Sequence, residues 1–303
     1  MSLLGAHAIG IANIAMDATV LDTWYPSPEL TTHITHPTGS VRLGAHDLSP
    51  KLLNLVRLDE DRMVEQVAVR TTITDLNAPP VDAHDVYLRL HLLSHRLVKP
   101  HELNMDKCLE LLATVVWTNK GPCLTDNFEQ VRTSLRSRGL IHVYGIDRLP
   151  RMVDYVVPSG VNITEAERVR LGAYLSPGTR VLREGFVSYN AGSLGPCRIE
   201  GRLSSGVVIG ENTDLGISSS LISPKESRQL KVGKDCTFGV GTSVLCINLG
   251  DNVHIGHNIV LDRETPLYSA ATGDVIPAAQ IEFESNITIR MEAGHPEPVI
   301  HKL

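Results

Sequence analysis

A six-residue beat runs through the second half of the chain, and it limits the fold more than any other feature. Ile209-Gly210 is followed by Leu215-Gly216, Val232-Gly233 by Phe238-Gly239, and Leu249-Gly250 by Ile255-Gly256. Val169, Leu175, Val181 and Val187 keep the same interval without the glycine, as do Val253 and Ile259. A hexapeptide makes one short flat strand and a turn, and three of them close a triangular coil of about 18 residues. The apolar side chain points into the prism. The residue after it meets a corner, where a positive φ or a close backbone approach favours glycine. One coil cannot bury its own apolar face, so several must stack. The spacing predicts a parallel β-helix over residues 153–266.

Hexapeptide-repeat chains wind left-handed, against the right-handed rule for parallel crossovers, so a left-handed helix is the expectation. The beat breaks between Ser218 and Lys231, where Ser223-Pro-Lys-Glu-Ser-Arg228 intervenes. A loop thrown out from one coil accounts for the break. Past Leu267 the pattern fades, and alternation from Ile281 to Ile289 predicts a short β-rich extension over 267–303. Residues 1–152 read as an α+β domain. Val67, Val69, Thr71 and Ile73 alternate as in a strand. Val86, Leu90, Leu93 and Leu97 recur at helical spacing, with Asp82 and Asp85 placed to cap. Met105, Cys108, Leu109, Leu112 and Val116 predict a second helix. Phe128, Val131 and Leu135 predict a third, with an Asp126/Glu129 capping box and Gly139 at its stop.

A formal charge of −6 without a basic cluster argues against nucleic acid as a partner. No apolar run approaches membrane-spanning length. Met1 to Met16 lacks the basic and apolar regions of a secretory signal, so a cytoplasmic location is expected. Cys108, Cys123, Cys197, Cys236 and Cys246 form no CxxC pair, which predicts reduced, buried thiols. His254-Ile-Gly-His257 supplies two histidines, short of the three that a zinc centre gathers from neighbouring coils. Packing roles are expected for His91 and His95.

Longer strings carry a resemblance. Leu88-Arg-Leu-His-Leu-Leu-Ser-His-Arg96, Trp117-Thr-Asn119 with Gly121-Pro-Cys123, and Pro150-Arg-Met-Val-Asp-Tyr-Val-Val-Pro-Ser-Gly160 are three of them. Arg168-Val-Arg-Leu-Gly-Ala173, Glu184-Gly-Phe-Val187 with Asn190-Ala-Gly192, and Glu200-Gly-Arg-Leu-Ser204 are the others. From about Leu88 to Gly210 the chain resembles the actinobacterial type of tetrahydrodipicolinate N-succinyltransferase, within the hexapeptide-repeat acyltransferases.

The resemblance implies a homotrimer with active sites between neighbouring β-helices. It implies succinyl transfer from succinyl-CoA, the co-substrate, to the amino group of ring-opened tetrahydrodipicolinate, in lysine and diaminopimelate synthesis. Glu200 matches the family's catalytic glutamate, as the base that deprotonates the attacking amine or as a carrier of the acyl group. Arg202 would pair with a substrate carboxylate, with Asn190 and Ser220 as polar pocket residues. Glu167 and Glu184 match acids that surround a cation on the trimer axis, where oxygen ligands suit Mg²⁺ or Ca²⁺. Glu167 stands where an aspartate is more familiar.

Downstream of Asp214 the match departs. A glycine-rich loop of the family is replaced by Gly216-Ile-Ser-Ser-Ser-Leu-Ile-Ser-Pro-Lys-Glu-Ser-Arg228, and a Glu-Ala pair by Gly256-His257. These departures imply an altered acyl-donor side. Two other readings stand beside the first: a hexapeptide acyltransferase with His257 or His254 as its base, and a non-catalytic trimeric paralogue without CoA binding.

Overall fold

The computed structural model describes residues 4–33, 35–224 and 229–303. Contacts divide the chain into two compact units, Met1–Leu92 with Glu102–Val156, and Leu93–His101 with Val157–Leu303.

In the first unit, an antiparallel sheet runs in the order Val20–Trp24, Gly5–Ala15, Val64–Ile73, Gly39–Arg42. The alternation over Val67 to Ile73 thus belongs to a central strand. A second sheet is formed by Gly121–Leu124, Val115–Thr118 and Val143–Asp147. Helix Phe128–Leu135 buries Phe128, Val131 and Leu135 against Val116 and Cys123 of that sheet. Helix Ala83–Ser94 starts with the expected caps: the Asp85 amide donates to Asp82 Oδ1 at 2.8 Å, and the Val81 amide to Asp85 Oδ2 at 3.0 Å.

Three local expectations fail. The stretch from Met105 to Val116 is no helix but a 3₁₀ turn, Cys108–Leu111, leading into the strand Val115–Thr118. Lys107 enters that turn left-handed at φ 58°, and Val-Val-Trp-Thr is strand-forming sequence. The helical spacing there came from a short apolar run, which does not separate the two periods. Asp126 does not cap the next helix; Asn127 precedes it in the left-handed region without a side-chain cap bond. Leu97 lies beyond the end of its helix at Ser94 and is exposed.

The second unit is a parallel β-helix. Its first face stacks Asn162–Ile163, Arg180–Val181, Arg198–Ile199, Asp214–Leu215, Thr237–Phe238, Val253–Ile255 and Ile287–Arg290. The second stacks Phe186–Val187, Arg202–Leu203, Ser220–Ile222, Ser243–Leu245 and Val260–Leu261, and the third Tyr174–Leu175, Gly192–Ser193, Val207–Ile209 and Leu230–Val232. Alternate side chains of each strand point inward, so like positions form columns. Val181, Ile199, Leu215, Phe238, Ile255 and Ile289 line the inside of the first face, and Val187, Leu203, Leu221, Val244 and Leu261 that of the second; all are buried. Each such burial contributes about 1.5–3 kcal/mol, and the columns are continuous because the beat is.

The glycines of the beat answer to crowding. A Cβ on Gly239 would stand 2.7 Å from the Gly256 carbonyl carbon and the His257 nitrogen of the next coil, and its φ is not positive. The left-handed corners fall to other residues: Asn190, Asn212, Asp235, Asn252 and Asn258 all have φ between 49° and 58°.

Coil length varies. Register partners step by 18 residues from Arg180 to Arg198, by 16 to Asp214, by 23 to Thr237 and by 17 to His254. The long step holds its extra residues between Ser220–Ile222 and Leu230–Val232, where the beat breaks. Of the loop expected there, residues 225–228 lie outside the described residues. After Val260–Leu261 a hairpin of Pro266–Ser269 and Val275–Pro277 intervenes, and Ile287–Arg290 then rejoins the first face and pairs antiparallel with Val299–Lys302. This is the β-rich end of the chain. Among the described residues no helix is long and apolar enough to cross a membrane. The five cysteines form no disulfide with one another, four of them are buried, and burial pushes Cys123, Cys197 and Cys236 up to about 11.

Candidate active site

Glu200 sits where the first face turns into the second. Its amide donates to the Leu215 carbonyl of the next coil at 2.9 Å, which fixes the backbone. Its carboxylate is held by Arg198, with Nη2 2.5 Å from Oε2. Arg198 also reaches up one coil, where Nη1 lies 2.9 Å from Asp214 Oδ1. The side chains of Arg198 and Asp214 are 42% and 45% exposed, whereas that of Glu200 is 19% exposed. The bridge is therefore a surface clamp over a half-sunk carboxylate. Among the described residues Oε1 takes no bond, so one oxygen of Glu200 keeps its acceptor capacity.

Arg198 and Asp214 were not singled out from the sequence. They occupy the same outward position of consecutive coils, but the step between them is 16 residues, and a strict count of 18 from Arg198 lands on Gly216. Only the variable coil length brings them together.

Arg202 and Ser220 are register partners on the second face. The Arg202 guanidinium lies 4.3 Å from the Phe186 ring centroid, one coil below. This stacking holds the side chain against a ring, and Arg202 is exposed to solvent. Asn190 lies elsewhere. It is a buried left-handed corner at φ 49°, and its Oδ1 accepts from the His101 amide at 3.1 Å.

Glu167 precedes Val169 and Glu184 precedes Val187, and those two valines are bridged across adjacent coils. Both carboxylates are exposed, and Arg168 approaches Glu184 at 3.8 Å. Their all-oxygen donors fit a hard divalent cation. Among the described residues no single chain gathers three metal-ligating side chains, so such a site requires more than one copy.

The histidines are engaged by the fold. His257 Nδ1 accepts the Val240 amide at 2.9 Å, which leaves the neutral ring's proton on Nε2 and no open lone pair for a base. His254 Nε2 faces Asn252 Oδ1 at 2.9 Å, and Nδ1 faces the Thr237 hydroxyl at 2.8 Å. An amide oxygen only accepts, so Nε2 carries the proton and Nδ1 takes the hydroxyl hydrogen. His91 is likewise structural, with Nε2 accepting the Tyr25 amide.

Comparison with known proteins gives this geometry its context. A family described as tetrahydrodipicolinate N-succinyltransferase, middle, matches residues 112–151, and one described as hexapeptide repeat of succinyl-transferase matches residues 229–263. A 2,3,4,5-tetrahydropyridine-2,6-dicarboxylate N-succinyltransferase of Salinispora tropica is 46% identical over 211 residues, 69% of this chain and 65% of the relative. The chain resembles the tetrahydrodipicolinate N-succinyltransferases. Their Pseudomonas aeruginosa representative is 40% identical over 231 residues, 75% of this chain and 64% of the relative. The matches span just under two thirds of these relatives' own lengths.

In fold, the chain superposes on a Campylobacter jejuni protein described as a 2,3,4,5-tetrahydropyridine-2-carboxylate N-succinyltransferase. The TM-score is 0.81, with 97% of this chain and 91% of that one covered at 19% identity. The resemblance first read from short strings is thus borne out by family matches, by sequence and by fold.

Proposed function

We propose that the protein is an N-succinyltransferase that uses succinyl-CoA to acylate the amino group of ring-opened tetrahydrodipicolinate, a step of diaminopimelate and lysine synthesis in the cytoplasm. The likeness to succinyltransferases at up to 46% identity carries this reading. The clamped carboxylate of Glu200 supports it. The acceptor amine is an ammonium ion at neutral pH and has no lone pair to attack with. Glu200 Oε1 takes one of its protons. Nitrogen then adds to the thioester carbonyl, the C–S bond breaks, and the CoA thiolate leaves and recovers a proton. Arg198 keeps the carboxylate from swinging away, and Arg202 is placed to pair with a carboxylate of acceptor or succinyl group.

The coils wind left-handed in this reading, and the working form is a homotrimer with Glu167 and Glu184 around its axis, where Mg²⁺ or Ca²⁺ would be held. Such an ion would supply charge neutralisation between copies.

The test is thiol release on mixing the protein with succinyl-CoA and tetrahydrodipicolinate. Turnover is expected, and Glu200→Gln should lower kcat about 10²–10⁴-fold. No turnover by the unaltered protein with succinyl-CoA would overturn the proposal.

A further inference from the structure

The first unit contains a cavity of about 410 Å³ far richer in aromatic side chains than the chain as a whole. Only 4% of the residues are Phe, Trp or Tyr, and there are two tryptophans. Both of them, Trp24 and Trp117, line this cavity, together with Tyr144 and Tyr155. Such walls have electron-rich faces that attract cations and apolar stems alike.

The charges around the cavity are unbalanced in one place. Arg151 is forked onto Asp154, with Nε–Oδ2 2.9 Å and Nη2–Oδ1 3.0 Å, and lies 3.8 Å from the Tyr144 ring centroid. That pair is neutral overall. Asp22, also in the lining, is 4% exposed. Its Oδ1 accepts from the Asn13 side-chain amide at 2.7 Å and from the Asn13 backbone at 3.3 Å, and its Oδ2 accepts the Tyr155 hydroxyl at 2.5 Å. All three donors are neutral. The guanidinium of Arg62, whose charge acts on Asp22, bonds Asn13 Oδ1 instead, at 3.1 Å. Among the described residues no cation pairs directly with Asp22.

A buried carboxylate without a paired cation is unfavourable, and burial pushes the Asp22 carboxyl up against the opposing pull of its hydrogen bonds. A carboxylate has room for about four donors; three are filled, and Oδ2 keeps one acceptor position.

We propose that this cavity is a binding site for a small alkylammonium ion, with its charge against Asp22 and its stem between Trp24 and Trp117. The assignment does not depend on the Glu200 chemistry.

Because both tryptophans belong to the wall, the chain carries its own reporter. The experiment is a fluorescence titration of the full-length protein with n-butylammonium chloride, against sodium chloride at equal ionic strength. A saturable change in tryptophan emission is expected, absent with n-butanol and with sodium butyrate, and retained in Glu200→Gln. Asp22→Asn should weaken the apparent affinity about tenfold or more, equivalent to about 1.4 kcal/mol. Should that variant fail to fold, Trp24→Leu, at a half-buried wall position, should weaken the response that Trp117 still reports. No saturable change, an equal response to butanol, a response to butyrate alone, or unchanged affinity in the folded variants would each overturn the assignment.

Discussion

Arg198 bonds two acids at once, Glu200 in its own coil and Asp214 in the next. Neither contact buries much surface, so the clamp contributes little to folding. In the role proposed for Glu200 its value lies in orientation, since a carboxylate that must meet a substrate proton loses rate when it swings. Arg198→Met should therefore lower kcat about 10–100-fold, leave KM nearly unchanged and leave the melting temperature within a degree or two. Arg198→Lys should recover part of kcat, because it restores a charge without the fork. A melting temperature that falls with kcat would assign Arg198 to the scaffold instead. At this scale the position of Glu200 is marked by the string Ile199-Glu-Gly-Arg202, whose neighbours carry the resemblance. Arg198 and Asp214 are not legible, because their meeting depends on a coil two residues short of 18.

Strands and turns follow simpler constraints, and two of them can be measured. Gly239 faces the backbone of the next coil, where an added methyl would stand 2.7 Å from main-chain atoms that cannot rotate aside. Gly239→Ala should cost about 1–3 kcal/mol in denaturant unfolding, whereas Gly44→Ala, with nothing within 4 Å and φ −80°, should be near neutral. Equal effects would mean that stacking tolerates a methyl.

In the first unit, Asp59 ends the short strand Arg57–Asp59 and accepts from Arg62 and Arg138 at 2.7 Å each. Burial pushes its carboxyl up, but those bonds prevail and hold it at about 2. A lowered carboxyl stabilises the folded state in full above the unfolded value of about 3.9 and loses that stabilisation as pH falls toward 2. Asp59→Asn should thus remove about 2 kcal/mol at pH 7, and much less at pH 2. A deficit that does not shrink with pH would assign the loss to packing. The β-helix was readable because one period persists over a hundred residues. The run from Met105 to Val116 was not, because twelve residues with a mid-run turn leave helix and strand patterns alike.

For the whole molecule, the decisive quantity is the number of chains that assemble. The inner columns close each prism on itself, so a single chain satisfies its own core. The acids of the outer corners look outward instead: Glu167 and Glu184 both face solvent, and Arg168 stands 3.8 Å from Glu184. Gathered around a three-fold axis, these carboxylates would repel one another unless cations came between them, and a divalent ion would do this more effectively than three guanidinium groups at longer range. Two measurements follow from one argument. Sedimentation equilibrium should give the mass of three chains. Millimolar Mg²⁺ or Ca²⁺ should raise the melting temperature over that in chelator, by mass action on the folded assembly. Glu184→Gln should abolish the metal-dependent increment while the trimer persists, since removing one ring of charge also removes the repulsion that the ion relieves. A single-chain mass would remove the axis altogether, and a trimer whose melting ignores both the ion and the substitution would leave Arg168 as the group that neutralises these corners.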